Sequence, residues 1–150
     1  MAQMMTFHVP DDQDLLAAFG EVSLRHEHLN HMLRMTIKTL AQLQINEALD
    51  ATAYDSSSRL RERIRKLGRQ RLGDGEALLK LEALLERCRR ATEKRNELIH
   101  GVWAQELDSE PFRHGNDHAR LPLPTVADLK SLSTEIQQLT GSLNAARLEG

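Results

Sequence analysis

The stretch EALLKLEALLERCRRATEKRNELIH, residues 76 to 100, decides the fold class of this 150-residue chain. Apolar side chains recur along it at steps of three and four, the spacing that places them on one face of an α-helix. We therefore predict an amphipathic helix from about Glu76 to His100, which must bury one face against other helices. The positions on this face are Leu78, Leu81, Leu85, Cys88, Thr92, Ile99 and, just beyond the quoted stretch, Val102.

Three other segments repeat this spacing, which predicts an all-α fold, a four-helix bundle. The first helix begins after Pro10 and extends to about Gln44, and the second covers 58–72. The fourth begins at Thr125, with Asp128 placed to complete a capping box. Their apolar positions are Leu15, Phe19, Val22, His26, Leu29, Leu33, Thr36, Leu40 and Leu43 in the first, Leu60, Ile64 and Leu67 in the second, and Val126, Leu129, Leu132, Ile136, Leu139 and Leu143 in the fourth.

The remaining segments lack helical periodicity. Residues 1–9 are expected to form a flexible tail of a single domain that spans 1–150. Residues 45–58 are expected to be a linker or one short helical turn. The polar, proline-bearing stretch 104–124 predicts an irregular loop or a small hairpin between the third and fourth helices.

Composition narrows the class of protein. Aromatic residues make up only 3% of the chain, so Leu, Ile, Val, Met and Ala must form the core, and these favour helices. The apolar runs are too short to span a membrane, and no signal-peptide pattern is present, which predicts a soluble, cytoplasmic protein. Cys88 is the only cysteine, so an internal disulfide and a cysteine-based zinc site are excluded. We expect no cofactor.

Histidines give a weak case for a metal. His26 lies on the apolar face of the first helix, where a core histidine with a hydrogen-bond partner is the favoured interpretation. His28 and His31 fall off that face and are expected in solvent, while His114 and His118 lie in the loop. The interpretation is that no metal site exists.

The second helix is strongly basic. Residues 59–95 carry 13 Lys or Arg against 6 Asp or Glu, although the whole chain has a net charge of −2. Two interpretations remain open: a solvated face, and a surface that contacts the phosphates of RNA. A membrane-surface helix is disfavoured, because no broad apolar face accompanies the charge. The candidate RNA-binding cations are Arg59, Arg61, Arg63, Arg65, Lys66, Arg69 and Arg71.

The end of the third helix combines residues suited to phosphate chemistry. Arg95 falls on its apolar face, so it requires a carboxylate partner, a cleft or an interface. Asn96 and His100 are four positions apart and are therefore neighbours on the helix, with Glu93 close by. Arginine binds phosphate with a fixed, two-pronged group, and histidine exchanges protons near neutral pH.

The motif Arg95-Asn-Glu-Leu-Ile-His100, late in a long helix, resembles the signature of the HEPN family (higher eukaryotes and prokaryotes nucleotide-binding domains). The resemblance implies a dimeric, metal-independent endoribonuclease, often a toxin or defence protein with a cognate antitoxin. Arg95 would then bind the scissile phosphate, His100 would act as acid or base, and Asn96 would orient one of them. Glu93 would orient His100 or pair with Arg95, and Trp103 would stack on a base or close the core.

Two other interpretations remain. Some members of this family bind RNA or nucleotides, or serve only for dimerisation with a protein partner, without catalysis. The motif could also be a coincidence, with Arg95 in a structural ion pair and His100 at a helix C-terminus, where the helix dipole favours a cation.

Overall fold

The structure is a computed structural model, and it describes residues 5–7, 9–100, 103–106, 112–114 and 120–148. Within these ranges the chain is mostly helical, with four short strands. The elements in chain order are β1 (Met5–Phe7), α1 (Gln13–Ala41), α2 (Ile45–Ala51), α3 (Ser57–Leu72), α4 (Glu76–His100), β2 (Trp103–Glu106), β3 (Phe112–His114), β4 (Arg120–Pro122) and α5 (Val126–Leu148).

The four long helices form the predicted bundle. Helix α1 packs most extensively against α5 and also against α3, and α4 packs between α3 and α5. The apolar stripes predicted from the sequence meet in one core. Its fully buried members include Val22, Leu29, Leu33, Leu60, Ile64, Leu85, Cys88, Leu129, Leu132, Ile136, Leu139 and Leu143.

Helix α4 is antiparallel to the other three long helices of the bundle. The last turns of α1, α3 and α5 line one cavity together with the first turns of α4. Farther along, His26 of α1 lies beside Thr92 near the other end of α4, with Nε2 and Oγ1 3.0 Å apart. Helices α1, α3 and α5 therefore share a direction. The hydrogen bond from Ser57 Oγ to Asn30 Oδ1, at 2.6 Å, joins the start of α3 to the middle of α1.

Side-chain caps explain where several helices begin. Asp12 Oδ1 accepts hydrogen bonds from the backbone N–H groups of Asp14 and Leu15 at the start of α1. The capping box predicted for the last helix is confirmed: the N–H of Thr125 donates to Asp128 Oδ2, and the N–H of Asp128 donates to Thr125 Oγ1, at 3.0 and 3.1 Å.

Helix α2 is more than the linker or single turn expected for 45–58. It has seven residues, and Glu47 Oε1 accepts from the N–H of Gln44 at 3.1 Å, which stabilises its first turn. Helix α1 ends at Ala41, three residues before the expected end, because Gln42 adopts a left-handed conformation with φ 57°.

A small antiparallel sheet of order β1-β2-β3-β4 lies where α4 ends and where α1 and α5 begin. The stretch between α4 and α5, expected as a loop or small hairpin, contains three of its strands. The remaining strand, β1, comes from the segment expected as a flexible tail: Met5, Thr6 and Phe7 pair with residues 104–106. Strands of three or four residues are too short for alternation to reveal them in sequence.

The burial predicted for His26 and the exposure predicted for His28 and His31 are confirmed. His26 is buried and bonded to Thr92, and His28 and His31 are exposed. Among the described residues no group of three or more potential metal ligands occurs, and none of the described helices has the length and apolar character needed to cross a membrane. His118 lies outside the described residues.

Candidate functional site

Arg95 lies in the last turns of α4, on the side that faces the bundle. Its side chain is half-buried, as its position on the apolar stripe requires, one heptad after the buried Cys88. Nη1 donates a hydrogen bond to Oδ1 of the exposed Asn96 at 3.0 Å. The structure therefore brings together two of the four predicted catalytic residues.

Glu93 is engaged elsewhere. Its carboxylate forms an ion pair with Arg89, which also binds Glu86 through two nitrogens. The hydrogen bond from Arg89 lowers the pKa of Glu86 to about 2, and the two carboxylates raise the pKa of Arg89. Glu93 is thus part of a carboxylate-arginine network on the surface of α4, so its role toward Arg95 or His100 stays a prediction.

For His100 and Trp103 the structure describes only the backbone. His100 is the last residue of α4, and Trp103 begins β2, where it pairs with Arg113 of β3. Their side chains lie outside the described part of the structure. Helix positions 96 and 100 lie about 40° apart around the axis, whereas positions 95 and 100 lie about 140° apart. Arg95 and His100 therefore belong to different faces of α4.

Carboxylates of the same chain neutralise part of the basic helix α3. Arg59 and Arg63 both pair with Asp55, which precedes the helix, each at 3.2 Å. Arg69 pairs with Glu82 of α4 at 3.6 Å. These three predicted RNA-binding residues already have anionic partners: Asp55, whose side chain is 11% exposed, and Glu82, whose side chain is 33% exposed.

Three further cations of α3 are not neutralised in this way. Arg65, Lys66 and Arg71 form neither an ion pair nor a hydrogen bond with the side chains or backbone that the structure describes. Lys66 and Arg71 are exposed, and Arg65 is half-buried. These three cations keep their charge available for an external anion.

Arg61 connects the basic helix to the motif helix. Burial is the main cause that lowers the pKa of its guanidinium; among the nearby groups of α4, Cys88 and Glu93 raise this pKa and Arg89 lowers it. Nη1 is buried and has no hydrogen-bond partner among the described residues. Burying an unsatisfied donor of a charged group is unfavourable, so an anion at this point of the α3–α4 surface would be stabilising.

The sequence reasoning missed the acidic partners. Asp55 and Arg59 are four residues apart, as are Glu86 and Arg90, and Glu86 and Arg89 are three apart; these spacings are typical of helical ion pairs. The pair between Arg69 and Glu82 joins two helices, and no local spacing predicts it.

Comparisons of the chain with protein-family models, with curated proteins and with solved structures found no match.

Proposed function

We propose that this protein binds RNA along α3 and α4 and cleaves it without a metal, as an HEPN-type endoribonuclease with a toxin or defence role in the cytoplasm. The observation that supports this best is the position of Arg61, whose charge interacts with Arg89 and Glu93 of the motif helix. In this proposal the basic surface of α3 and the Arg95–Asn96 pair of α4 contact the same RNA strand. A phosphate backbone requires such a continuous cationic path.

The chemistry needs only a base, an acid and a stabilised negative charge. RNA supplies its own nucleophile: the 2′-oxygen loses its proton and attacks the adjacent phosphorus, and the bond from phosphorus to the 5′-oxygen breaks. The departing 5′-oxygen takes up a proton. The products are a 2′,3′-cyclic phosphate and a free 5′-hydroxyl. In this proposal Arg95 stabilises the charge that develops on the phosphate, His100 transfers protons, and Asn96 orients Arg95.

The catalytic site is proposed to form between two copies of the chain. Because positions 95 and 100 lie on different faces of α4, a single helix end would not direct both groups at one phosphate. A two-fold interface between the ends of α4 would place Arg95 of one copy near His100 of the other.

The decisive experiment is cleavage of end-labelled RNA in EDTA, with Arg95→Ala and His100→Ala as test variants. Each should lower the cleavage rate by about 100-fold or more. Arg25→Ala and His31→Ala, at exposed or half-exposed positions of α1, are the matched controls and should cleave normally. Activity that survives in both test variants would contradict the mechanism, and a monomeric mass by light scattering in an active preparation would contradict the composite site.

A second candidate is an RNA-binding or dimerisation module without catalysis, which acts through a protein partner such as an antitoxin. The engagement of Glu93 with Arg89 favours it, because that carboxylate is then not available to orient His100 or to pair with Arg95. This alternative predicts RNA binding or a stable dimer with no cleavage product, even for the unaltered protein.

A further inference from the structure

A cavity of about 760 Å³ lies at the end of the bundle opposite the sheet. The last turns of α1, α3 and α5 and the first turns of α4 form its walls. This volume falls within the range of small-molecule sites in proteins, about 300–1,000 Å³. The cavity is separate from the Arg95 motif, which lies at the other end of α4, so its role does not depend on the RNA-cleavage proposal.

The interior of the cavity is aliphatic. No aromatic side chain occurs among the described residues that line it, so these residues offer no stacking surface for a nucleobase. Its walls fit a flexible hydrocarbon chain instead, because apolar contact is non-directional. The leucines that form them are Leu40, Leu72, Leu81, Leu84 and Leu143.

The rim of the cavity is cationic. Of the residues that the structure describes, three cations line it, Arg71, Lys80 and Arg147, against one carboxylate, Glu76. Arg71 and Lys80 are exposed and have no ion pair or hydrogen bond to the described part of the chain, while Arg147 donates to Asn144 Oδ1 at 2.9 Å. An anion at the rim would therefore meet a net positive charge.

The helix dipole accounts for only part of this charge. Arg71 and Arg147 lie in the last turns of α3 and α5, where cations are favourable. Lys80 lies near the first turn of α4, where the dipole disfavours a cation. The dipole therefore does not explain the cation that Lys80 adds to the rim.

We propose that this cavity binds a small anionic amphiphile, a single alkyl chain with a carboxylate or phosphate head group. The chain lies among the leucines, and the head group lies between Arg71 and Lys80. The aliphatic interior and the cationic rim together select this class over a neutral lipid, a cationic amphiphile or a nucleotide.

Isothermal titration calorimetry of the purified protein tests the assignment. Decanoate and decyl phosphate are the two probes, and decyltrimethylammonium, with the same alkyl chain and the opposite charge, is the ligand control. At least one anionic probe should bind with one-to-one stoichiometry, and which of them binds more tightly identifies the head group. The cationic control should bind at least about tenfold more weakly, as Coulomb attraction at the rim requires.

Two variants separate the rim from the interior. Arg71→Glu combined with Lys80→Glu should weaken anion binding by about tenfold or more, while Lys130→Glu, an exposed charge reversal on α5 at a distance from the cavity, should not. Ala146→Phe places a ring in the cavity without removing a core side chain and should also weaken binding. Circular dichroism checks that each variant folds.

Three results would overturn the proposal. These are the absence of binding for both anionic probes, equal affinity for the anionic and cationic probes, and equal effects of the rim and Lys130 variants. A different outcome is that the unaltered protein binds no anion and the Arg71/Lys80 variant changes its molecular mass. That outcome would assign this surface to contact with a second copy of the chain.

Discussion

The hydrogen bond between His26 and Thr92 joins two helices inside the core. Both side chains are buried, and the bond is 3.0 Å long. Thr92→Val keeps the shape of the side chain but removes the hydroxyl, so His26 loses this partner in an apolar setting. We expect the free energy of unfolding to fall by about 1–3 kcal/mol, measured by urea denaturation.

The control for that substitution is Thr134→Val, at an exposed position of α5. It should change stability by no more than about 0.5 kcal/mol. Equal effects of the two substitutions would show that the His26–Thr92 bond makes no net contribution.

Cys88 is expected to be inert toward thiol reagents. Burial raises the pKa of its thiol to about 11, so at pH 8 the group is protonated and lacks the reactive thiolate form. A disulfide reagent such as DTNB should label the folded protein slowly at pH 8 and label it rapidly in denaturant. Labelling at the same rate in both conditions would contradict the burial of Cys88.

For single residues, the helical periodicity of the sequence predicts burial well but predicts ion-pair and hydrogen-bond partners poorly. The stripe that contains Arg95 indicated that a charged group faces the bundle, and its half-buried side chain agrees. The engagement of Glu93 with Arg89 was not predicted, because four cations and one amide all lie within four residues of that carboxylate. Choosing among them depends on side-chain conformation, which sequence spacing does not specify.

The crossing of α3 and α4 depends on the absence of a side chain at Gly68. A Cβ atom there would lie 2.8 Å from Leu81 Cδ2, closer than side-chain carbons approach one another. Gly68→Val should therefore lower the free energy of unfolding by about 1–3 kcal/mol, measured by thermal or urea denaturation.

Gly20→Ala is the matched control, since nothing lies within 4 Å of a Cβ at that exposed position of α1. It should stabilise the protein by about 0.5–1 kcal/mol through helix propensity. Destabilisation of similar size by both substitutions would argue against close packing at Gly68.

The cations of α3 should contribute unequally to RNA binding. Arg65→Glu combined with Lys66→Glu removes two unpaired charges and should flatten the dependence of log affinity on log salt by about 1.4 for single-stranded RNA. Arg59→Glu with Arg63→Glu should have a smaller effect, because Asp55 already neutralises part of that charge. Equal slopes for the two double variants, measured by filter binding or fluorescence anisotropy, would refute this ranking.

Long amphipathic helices could be located from sequence because each repeats its pattern over many turns. Helix α4 begins and ends where the spacing predicts, and α3 begins one residue earlier than expected. Helix α2 escaped detection, because it has a single buried side chain, Ala48, and so shows no periodicity.

At the scale of the whole molecule, the segment before α1 has a structural role through β1. Thr6→Pro removes a backbone N–H from the strand that pairs with β2, and it should lower the melting temperature by roughly 2–8 °C. Val9→Pro, just outside the strand, is the control and should have little effect. An unchanged melting temperature for both variants would indicate that residues 5–7 behave as the flexible tail expected from the sequence.

Fold class could be predicted from the sequence, but the path of the chain through the bundle could not. A stripe of leucines specifies that a helix packs, not which helix it meets or in which direction. The shared direction of α1 and α3 requires the return of the chain through the segment that contains α2, and the bond between Ser57 and Asn30, 27 positions apart, joins the start of α3 to the middle of α1.

The pairing of α1 with α5 also affects how the protein is made. The most extensive helix contact joins the first and last long helices in the chain, so α1 leaves the ribosome well before its main partner is translated. During that interval α2, α3 and α4 are the helices already available to pack against it. The nascent chain therefore exposes an apolar face until α5 has been translated, and chaperones that bind such surfaces would be expected to engage it.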